Sequence, residues 1–169
     1  MITSFVAQQA TLTFNLIDGL IRLALFLGYV WIISYFHEIH RIFQYHGAEH
    51  KTIYCHEQKK ELTVENVRQC SRFHPRCGTT FLFIILLLSI AVFSFITGPW
   101  WVKLGGRLLL LPVISGLGYE LIKLSGKHSQ NLFVKVFIAP GLWLQRITTK
   151  EPSDRQLEVG IASLKAVLE

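Results

Sequence analysis

The stretch TTFLFIILLLSIAVFSFI, residues 79–96, contains no charged side chain. Its length is close to the roughly 20 apolar residues that a helix needs to cross the hydrocarbon core of a bilayer. Over the whole chain of 169 residues, 51% are hydrophobic and only 17% are charged, which is more apolar than a soluble domain usually is. The sequence therefore predicts an all-α integral membrane protein, with residues 1–169 forming a single membrane domain.

Two further apolar stretches lie on either side of this segment. Residues 17–36 have the length of another span, and residues 108–124 form a third that Pro112 and two glycines interrupt. Glu120 lies in this third span, where an ionisable side chain is a functional candidate, although pairing with Lys123 explains it equally well. The sequence thus predicts three transmembrane helices.

The C-terminal part of the chain divides into two segments. Residues 131–147 contain a lysine and a proline–glycine pair at Pro140, which favours a re-entrant or interfacial segment over a fourth full span. Residues 148–169 are more polar, and their apolar side chains recur at helical spacing. They predict an amphipathic helix that begins at Ser153 or Asp154.

Lysine and arginine residues are concentrated in residues 37–78, between the first two spans. Such residues favour the cytoplasmic side of a membrane, so this loop and the basic tail are expected in the cytoplasm. This topology explains the net charge of +6, and we expect no nucleic-acid partner. The three cysteines, Cys55, Cys70 and Cys77, lie in the same loop, where disulfides are not expected.

Six of the seven histidines also lie in this loop. His46 begins an HGAEH sequence, which has the H-x-x-E-H pattern of inverted zinc proteases. On a helix His46 and His50 share a face, so both imidazoles can bind one divalent metal ion, and Glu49 can act as general base. Gly47 weakens the helix by about 1 kcal/mol, or it permits a close approach of another backbone. A solvated loop helix without metal is the alternative.

A metal ion bound by two histidines needs a third protein ligand. His74 and Cys77 lie three residues apart in the stretch HPRCGT, at the entrance of the second span, and both residue types bind zinc. Arg76 between them is suited to an anionic group or to a developing negative charge. A simple turn, with Thr79 capping the following helix, is the alternative explanation.

Several stretches of the chain resemble a known family. They are similar to segments of the YqhQ-like bacterial inner-membrane proteins, a family of unknown function that is described as predicted metal-dependent enzymes. The resemblance implies a multi-pass location in the inner membrane with the histidine-rich loop in the cytoplasm. It extends from about residue 15 to the end and rests on FQYHGAEHK, LTVENV, HPRCGT, YELIKL, APGLWLQRITTKEP and LEVGIASLKAVL.

The resemblance also indicates which residues to test. Members usually carry an additional glycine-rich amino-terminal segment, which implies a short form, a trimmed chain or a separately encoded amino-terminal half as partner. In inverted zinc proteases a glutamate well downstream completes the metal site, and Glu120 would do so here if the third span packs beside the loop. The residues carried over are His46, Glu49, His50, His74, Arg76, Cys77 and Glu120.

Three functions agree with these features, each with the lipid bilayer as a partner. The first is a hydrolase at the cytoplasmic membrane face that uses a divalent metal ion, with zinc expected and iron as an alternative. The second is a non-catalytic homo-oligomeric scaffold or channel, in which glycines allow close helix contact. The third is a metal sensor or transporter, because interrupted spans are common in transporters. In the first, Glu49 and Arg76 act in catalysis, and the metal ligands come from His46, His50, His74, Cys77 and Glu120.

Overall fold

The computed structural model describes residues 2–127 and 132–168 of the chain. Helices occupy most of these residues, and no strand occurs among them, so the predicted all-α fold is confirmed. The helices are α1 (Ile2–Ile33), α2 (His37–Glu57), α3 (Val64–Arg68), α4 (Gly78–Phe93), α5 (Trp100–Lys127), α6 (Leu132–Thr148) and α7 (Asp154–Leu168).

Two of these helices are long and apolar enough to cross a membrane. They are the segment Leu12–Ile33 of α1 and the segment Trp100–Gly126 of α5. The helix α4, which contains the most apolar stretch, has only 16 residues and is about 24 Å long, less than the ~30 Å of a hydrocarbon core. The helices at the first and third predicted spans therefore meet the length requirement. The helix at the second predicted span, residues 79–96, is too short to meet it.

The short helix α4 lies at the centre of the apolar helices, in contact with α1, α5 and α6. A glycine on each neighbour faces it: Gly19 on α1, Gly118 on α5 and Gly141 on α6. A Cβ atom at these positions would come within 2.6, 3.2 and 2.3 Å, respectively, of side-chain atoms on α4. The missing side chains let three backbones approach one helix closely, which is how small residues promote helix packing in membranes.

The connection predicted between the second and third spans is largely helical. The helix α5 begins at Trp100, because Pro99 precedes it and its carbonyl accepts hydrogen bonds from the N–H groups of Val102 and Lys103, at 3.1 and 3.2 Å. Proline has the backbone torsion that suits the first turn of a helix. The predicted span of residues 108–124 is therefore only the later part of a longer helix.

The sequence predicts a break at the proline–glycine pair, but the helix α6 is not interrupted there. It runs continuously from Leu132 to Thr148 with Pro140 inside it, although residue 131 of the predicted segment lies outside the described residues. Packing explains the difference: Gly141 fits against Thr80 of α4, and such tertiary contacts can hold a helix through a residue that disfavours it.

The polar helices α2, α3 and α7 form a second group around their own core. Buried apolar side chains from all three meet there, including Cys55 of α2, Val67 of α3 and Leu157 of α7. The tail helix α7 begins at Asp154, as predicted. The stretch around Val67 has only five helical residues, and its apolar side chains pack into this core.

Candidate metal centre

The helix α2 carries both histidines of the H-x-x-E-H pattern on one face. His46 and His50 are one turn apart, and the centroids of their rings lie 4.4 Å from each other. His50 is buried, and His46 is half-buried. The two imidazoles therefore have the spacing that the sequence predicted.

Cys77 completes a group of three metal-ligand types. It is the N-cap residue of α4, and its Sγ lies 3.4 Å from Nε2 of His46. Within residues 2–127 and 132–168, the ligand atoms of His46, His50 and Cys77 form a group in which all lie within 4.8 Å of one another. The predicted capping of α4 by Thr79 is not seen, since its hydroxyl lies 3.0 Å from Sγ of Cys77 instead.

Backbone carbonyls fix the orientation of both imidazole rings. Nδ1 of His46 lies 2.8 Å from the carbonyl oxygen of Thr148, and Nδ1 of His50 lies 2.6 Å from that of Arg72. A carbonyl oxygen can only accept a hydrogen bond, so both Nδ1 atoms carry the proton and donate. In a neutral imidazole Nε2 then keeps a lone pair, which is the arrangement found in metal-ligating histidines.

The same contacts change the pKa values of the group. Burial raises the pKa of the Cys77 thiol, but hydrogen bonds with His46, His50 and Thr79 outweigh it and lower the pKa from 9.0 to about 5. Burial lowers the pKa of His46, but its hydrogen bonds to Cys77 and to a backbone carbonyl and the negative charge of Glu49 raise it above 6.5. At neutral pH the metal-free site therefore has a Cys77 thiolate beside a His46 with a raised pKa, and the thiolate is the form of cysteine that binds metals.

Gly47 allows the connection between α6 and α7 to reach this site. A Cβ atom on Gly47 would lie 2.1 Å from the carbonyl oxygen of Lys150. The N–H of Lys150 donates to the carbonyl of Phe43 at 2.8 Å. This close backbone contact, one of the two explanations that the sequence offered for Gly47, keeps the end of α6 and its Thr148 carbonyl against His46.

Gln145 holds the turn that precedes α4, and sequence reasoning missed it. Its Oε1 accepts a hydrogen bond from the N–H of His74 at 2.9 Å, and its Nε2 donates to the carbonyl of His74 and to Oγ1 of Thr80, both at 2.8 Å. The side chain is fully buried. These bonds fix the chain on both sides of Cys77. No local signal marks Gln145, since 71 residues separate it from His74.

His74 lies beside the three-residue group without joining it. Its Nδ1 accepts a hydrogen bond from the N–H of Arg76 at 3.2 Å, so Nε2 carries the proton and donates to Glu57 at 3.1 Å. Glu57 also pairs with the guanidinium of Arg76. Both ring nitrogens of His74 therefore form hydrogen bonds within the chain, and the guanidinium of Arg76 is paired with the Glu57 carboxylate.

Glu49 lies in a groove that reaches the metal-ligand group from the outside. The groove runs between α2 and α7, has a volume of about 550 Å³, and includes both His46 and Glu49 in its wall. Glu49 is exposed there, and its negative charge contributes to the raised pKa of His46. The remaining wall is mostly apolar and contains Ile42, Tyr45, Thr52, Ile53, Val159, Gly160, Ser163 and Leu164.

Glu120 is not brought to the histidines. It lies on α5, where its carboxylate pairs with Lys123 at 3.4 Å and more than half of its side chain is exposed. The pairing that the sequence allowed as an alternative is the arrangement found. The structure thus brings together His46, His50 and Cys77, with Glu49 nearby, and places His74, Arg76 and Glu120 in other contacts.

Comparisons with known proteins give one family and one curated relative. The family model "Protein of unknown function (DUF1385)" matches residues 1–169. The chain is 43% identical over 153 residues to the uncharacterized protein YqhQ of Bacillus subtilis (strain 168), a match that covers 90% of this chain and 48% of that relative. The chain thus spans about half the length of the relative it matches. No solved structure matches it.

Proposed function

The chain belongs to the DUF1385 family of proteins of unknown function, which confirms the predicted YqhQ-like membership, and on that premise we propose that it is a membrane-embedded, metal-dependent hydrolase. Its metal site consists of His46, His50 and Cys77. The observation that carries the proposal is the convergence of the three ligand atoms within 4.8 Å of one another.

The chemistry of the three side chains fits zinc. Two imidazoles and a thiolate are ligands that zinc prefers, and a site with three protein ligands keeps a position open for water or substrate, as catalytic zinc sites do. The low pKa of Cys77 supports this assignment, because the thiolate is already present at neutral pH. Iron is the alternative ion, since imidazole ligands also suit iron.

The helices that could enter a bilayer are the apolar ones. Segments of α1 and α5 have the necessary length, and their large apolar side chains, such as Leu25 and Leu109, are about 70% or more exposed. We assign these faces to lipid in the bacterial inner membrane. The polar helices α2, α3 and α7, with the metal site, then lie at the cytoplasmic face, in agreement with the basic residues of this region.

Glu49 is the candidate general base. A divalent ion at this site would supply a Lewis acid for a carbonyl or phosphoryl oxygen and for water. Glu49 is exposed to solvent in the groove, and it follows His46 by three positions on α2. Its carboxylate can therefore accept a proton from a water molecule in the groove. Arg76 is not assigned a catalytic role, because it is paired with Glu57.

Elemental analysis of the purified protein tests the metal site. We expect about one zinc or iron ion per chain in the wild type, and a loss of most of it in His46→Ala and Cys77→Ala, because two ligands hold zinc much more weakly than three. His56→Ala is the matched control, since His56 is an exposed histidine of the same helix. Equal metal content in wild type and His46→Ala, or none in either, contradicts the proposal.

A second candidate function is a non-catalytic homo-oligomeric scaffold. It is favoured by two glycines of α5, Gly105 and Gly116, at which an added Cβ would meet nothing within 4 Å. They are three helical turns apart and share a face, so a second copy could pack closely there. An oligomer in detergent that dissociates in Gly116→Leu, together with a metal-free wild type, would favour the scaffold.

A further inference from the structure

A second polar cavity lies among the apolar helices, at the end of α4 opposite to Cys77. It has a volume of about 220 Å³, and α1, α4 and α5 form its walls. The polar side chains of the wall are those of Asn15, Asp18, Arg22, Ser89, Ser94 and Arg107, and the others are mainly apolar. Charged groups between helices of this kind usually mark a site of function.

Arg107 is the feature of this cavity that needs an explanation. Its Nε atom is buried, and within the described part of the chain it has no hydrogen-bond partner. The guanidinium lies over the ring of Phe93, with Cζ 5.7 Å from the ring centroid. A buried charged donor without an acceptor lowers the free energy of unfolding. An acceptor that binds there would therefore stabilise the protein.

The acidic residue of the cavity does not supply this acceptor. Asp18 pairs with Arg22, with its Oδ2 atom 2.9 Å from Nε of Arg22. Two guanidinium groups and one carboxylate leave a charge of +1 in the wall. The carbonyl of Ser94 already accepts a hydrogen bond from Nδ2 of Asn15 at 3.1 Å, and it carries no charge that could balance a guanidinium. The positive charge of Arg107 therefore lacks a counter-charge among these groups.

We propose that this cavity binds a phosphate group, with Arg107 as its main ligand. The planar guanidinium offers several N–H donors in a fork that fits phosphate oxygens, and the hydroxyl of Ser89 lies in the same wall. The apolar remainder of the wall, Leu86, Ile90 and Phe93, suits the glycerol and acyl part of a phospholipid. Phosphate could thus come from a lipid headgroup or from free inorganic phosphate. The proposal does not depend on the metal site.

The test measures binding of both sources to the full chain. Protein reconstituted with phosphatidylglycerol is extracted in an uncharged detergent, and the lipid that remains bound is counted by native mass spectrometry. Inorganic phosphate is titrated calorimetrically into delipidated protein. We expect the wild type to retain about one lipid per chain or to bind one phosphate, and Arg107→Gln to weaken this binding roughly tenfold or more, as loss of a charged hydrogen bond does.

Lys103→Gln is the matched control, because it removes one positive charge from the same helix one turn away and Lys103 does not line the cavity. It should bind like the wild type. Arg107→Lys keeps the charge without the fork and should bind with intermediate strength, which provides a second variant if Arg107→Gln does not fold.

Retained lipid identifies the headgroup as the source, and phosphate binding alone identifies the free anion. Binding of neither probe to the wild type, or equal binding to wild type and both Arg107 variants, overturns the proposal.

Discussion

Nε2 of His46 lies 3.4 Å from Sγ of Cys77, although 31 residues separate them in the sequence. The contact joins the middle of a polar helix to the first turn of the most apolar one. It exists because Gly47 lets the Lys150 backbone pack on α2, and because Gln145 holds the turn before α4. Its chemical consequence is a lowered pKa of the Cys77 thiol and a raised pKa of His46, and both side chains would be available to hold a metal ion.

The pKa of Cys77 gives a prediction on thiol reactivity. In the metal-free protein, the rate of alkylation of Cys77 by iodoacetamide should already reach its plateau above about pH 6, because the pKa of the thiol is about 5 and only the thiolate reacts. In His46→Ala the half-maximal rate should move toward the ordinary thiol pKa of 9.0. Site-resolved mass spectrometry after chelation of metals measures both profiles and separates Cys77 from the other two cysteines.

The same pKa predicts a pH dependence of stability. The pKa of Cys77 is lower in the folded protein than in the unfolded chain, so its contribution to the free energy of unfolding is complete above about pH 9 and is lost as the pH falls through about 5. In this window, thermal unfolding of the metal-free wild type should therefore occur at higher temperature as the pH rises, and Cys77→Ser should flatten this slope. An unchanged slope in Cys77→Ser would show that Cys77 is not a thiolate in the folded state.

Gly47→Ala should destabilise the protein. The new Cβ would lie 2.1 Å from a backbone carbonyl, and such overpacking costs about 3 kcal/mol, against about 1 kcal/mol gained in helix propensity. The net loss lowers the melting temperature in detergent by roughly 4–8 °C. Gly28→Ala is the control, since nothing lies within 4 Å of its Cβ position, and it should not lower the melting temperature. A melting temperature of Gly47→Ala equal to that of the wild type would refute the close contact.

Gln145→Leu should weaken binding at the proposed metal site without removing one of its ligands. It deletes the three hydrogen bonds that fix the chain around Cys77 and leaves the buried N–H and C=O groups of His74 unpaired, at a cost of about 1–3 kcal/mol per group. Zinc affinity, measured by competition with a coloured chelator, should fall about 10–100-fold, as for other supporting residues of metal sites. Gln58→Leu, at an exposed position after α2, should keep the wild-type affinity.

Glu49→Gln should separate metal binding from the proposed hydrolysis. The variant keeps all three ligands, so its zinc content should equal that of the wild type, while hydrolysis of a responsive substrate from a panel of peptides and esters should fall about 100-fold or more, as for loss of a general base. Glu65→Gln, at an exposed position on α3, is the control for activity. Turnover that persists in Glu49→Gln would exclude this carboxylate as the base.

Local features of this protein were predictable from its sequence. The spacing of His46 and His50 follows from 3.6 residues per helical turn, and the start of α7 at Asp154 follows from the apolar period after it. The length of α4 was not predictable, because its last apolar residues leave the helix before Gly98 and Pro99. Apolar composition indicates where a segment can be buried, but not where its helix ends.

The helical class, the family and the pair of imidazoles on one helix face could be predicted from the sequence, because these depend on composition, on motif and on short-range geometry. The folded structure was needed to show that Cys77 joins the pair, that His74 bonds to Glu57, and that Glu120 pairs with Lys123 and does not approach the histidines. The Cys77–His46 and His74–Glu57 contacts join residues 31 and 17 positions apart, so tertiary packing determines them, whereas Glu120 and Lys123 are only three positions apart and the sequence left their pairing as one of two alternatives. Packing at Gly47 and Gln145 brings Cys77 to the histidines. The sequence allowed a close backbone approach at Gly47 but did not identify its partner, and Gln145 carries no local signal.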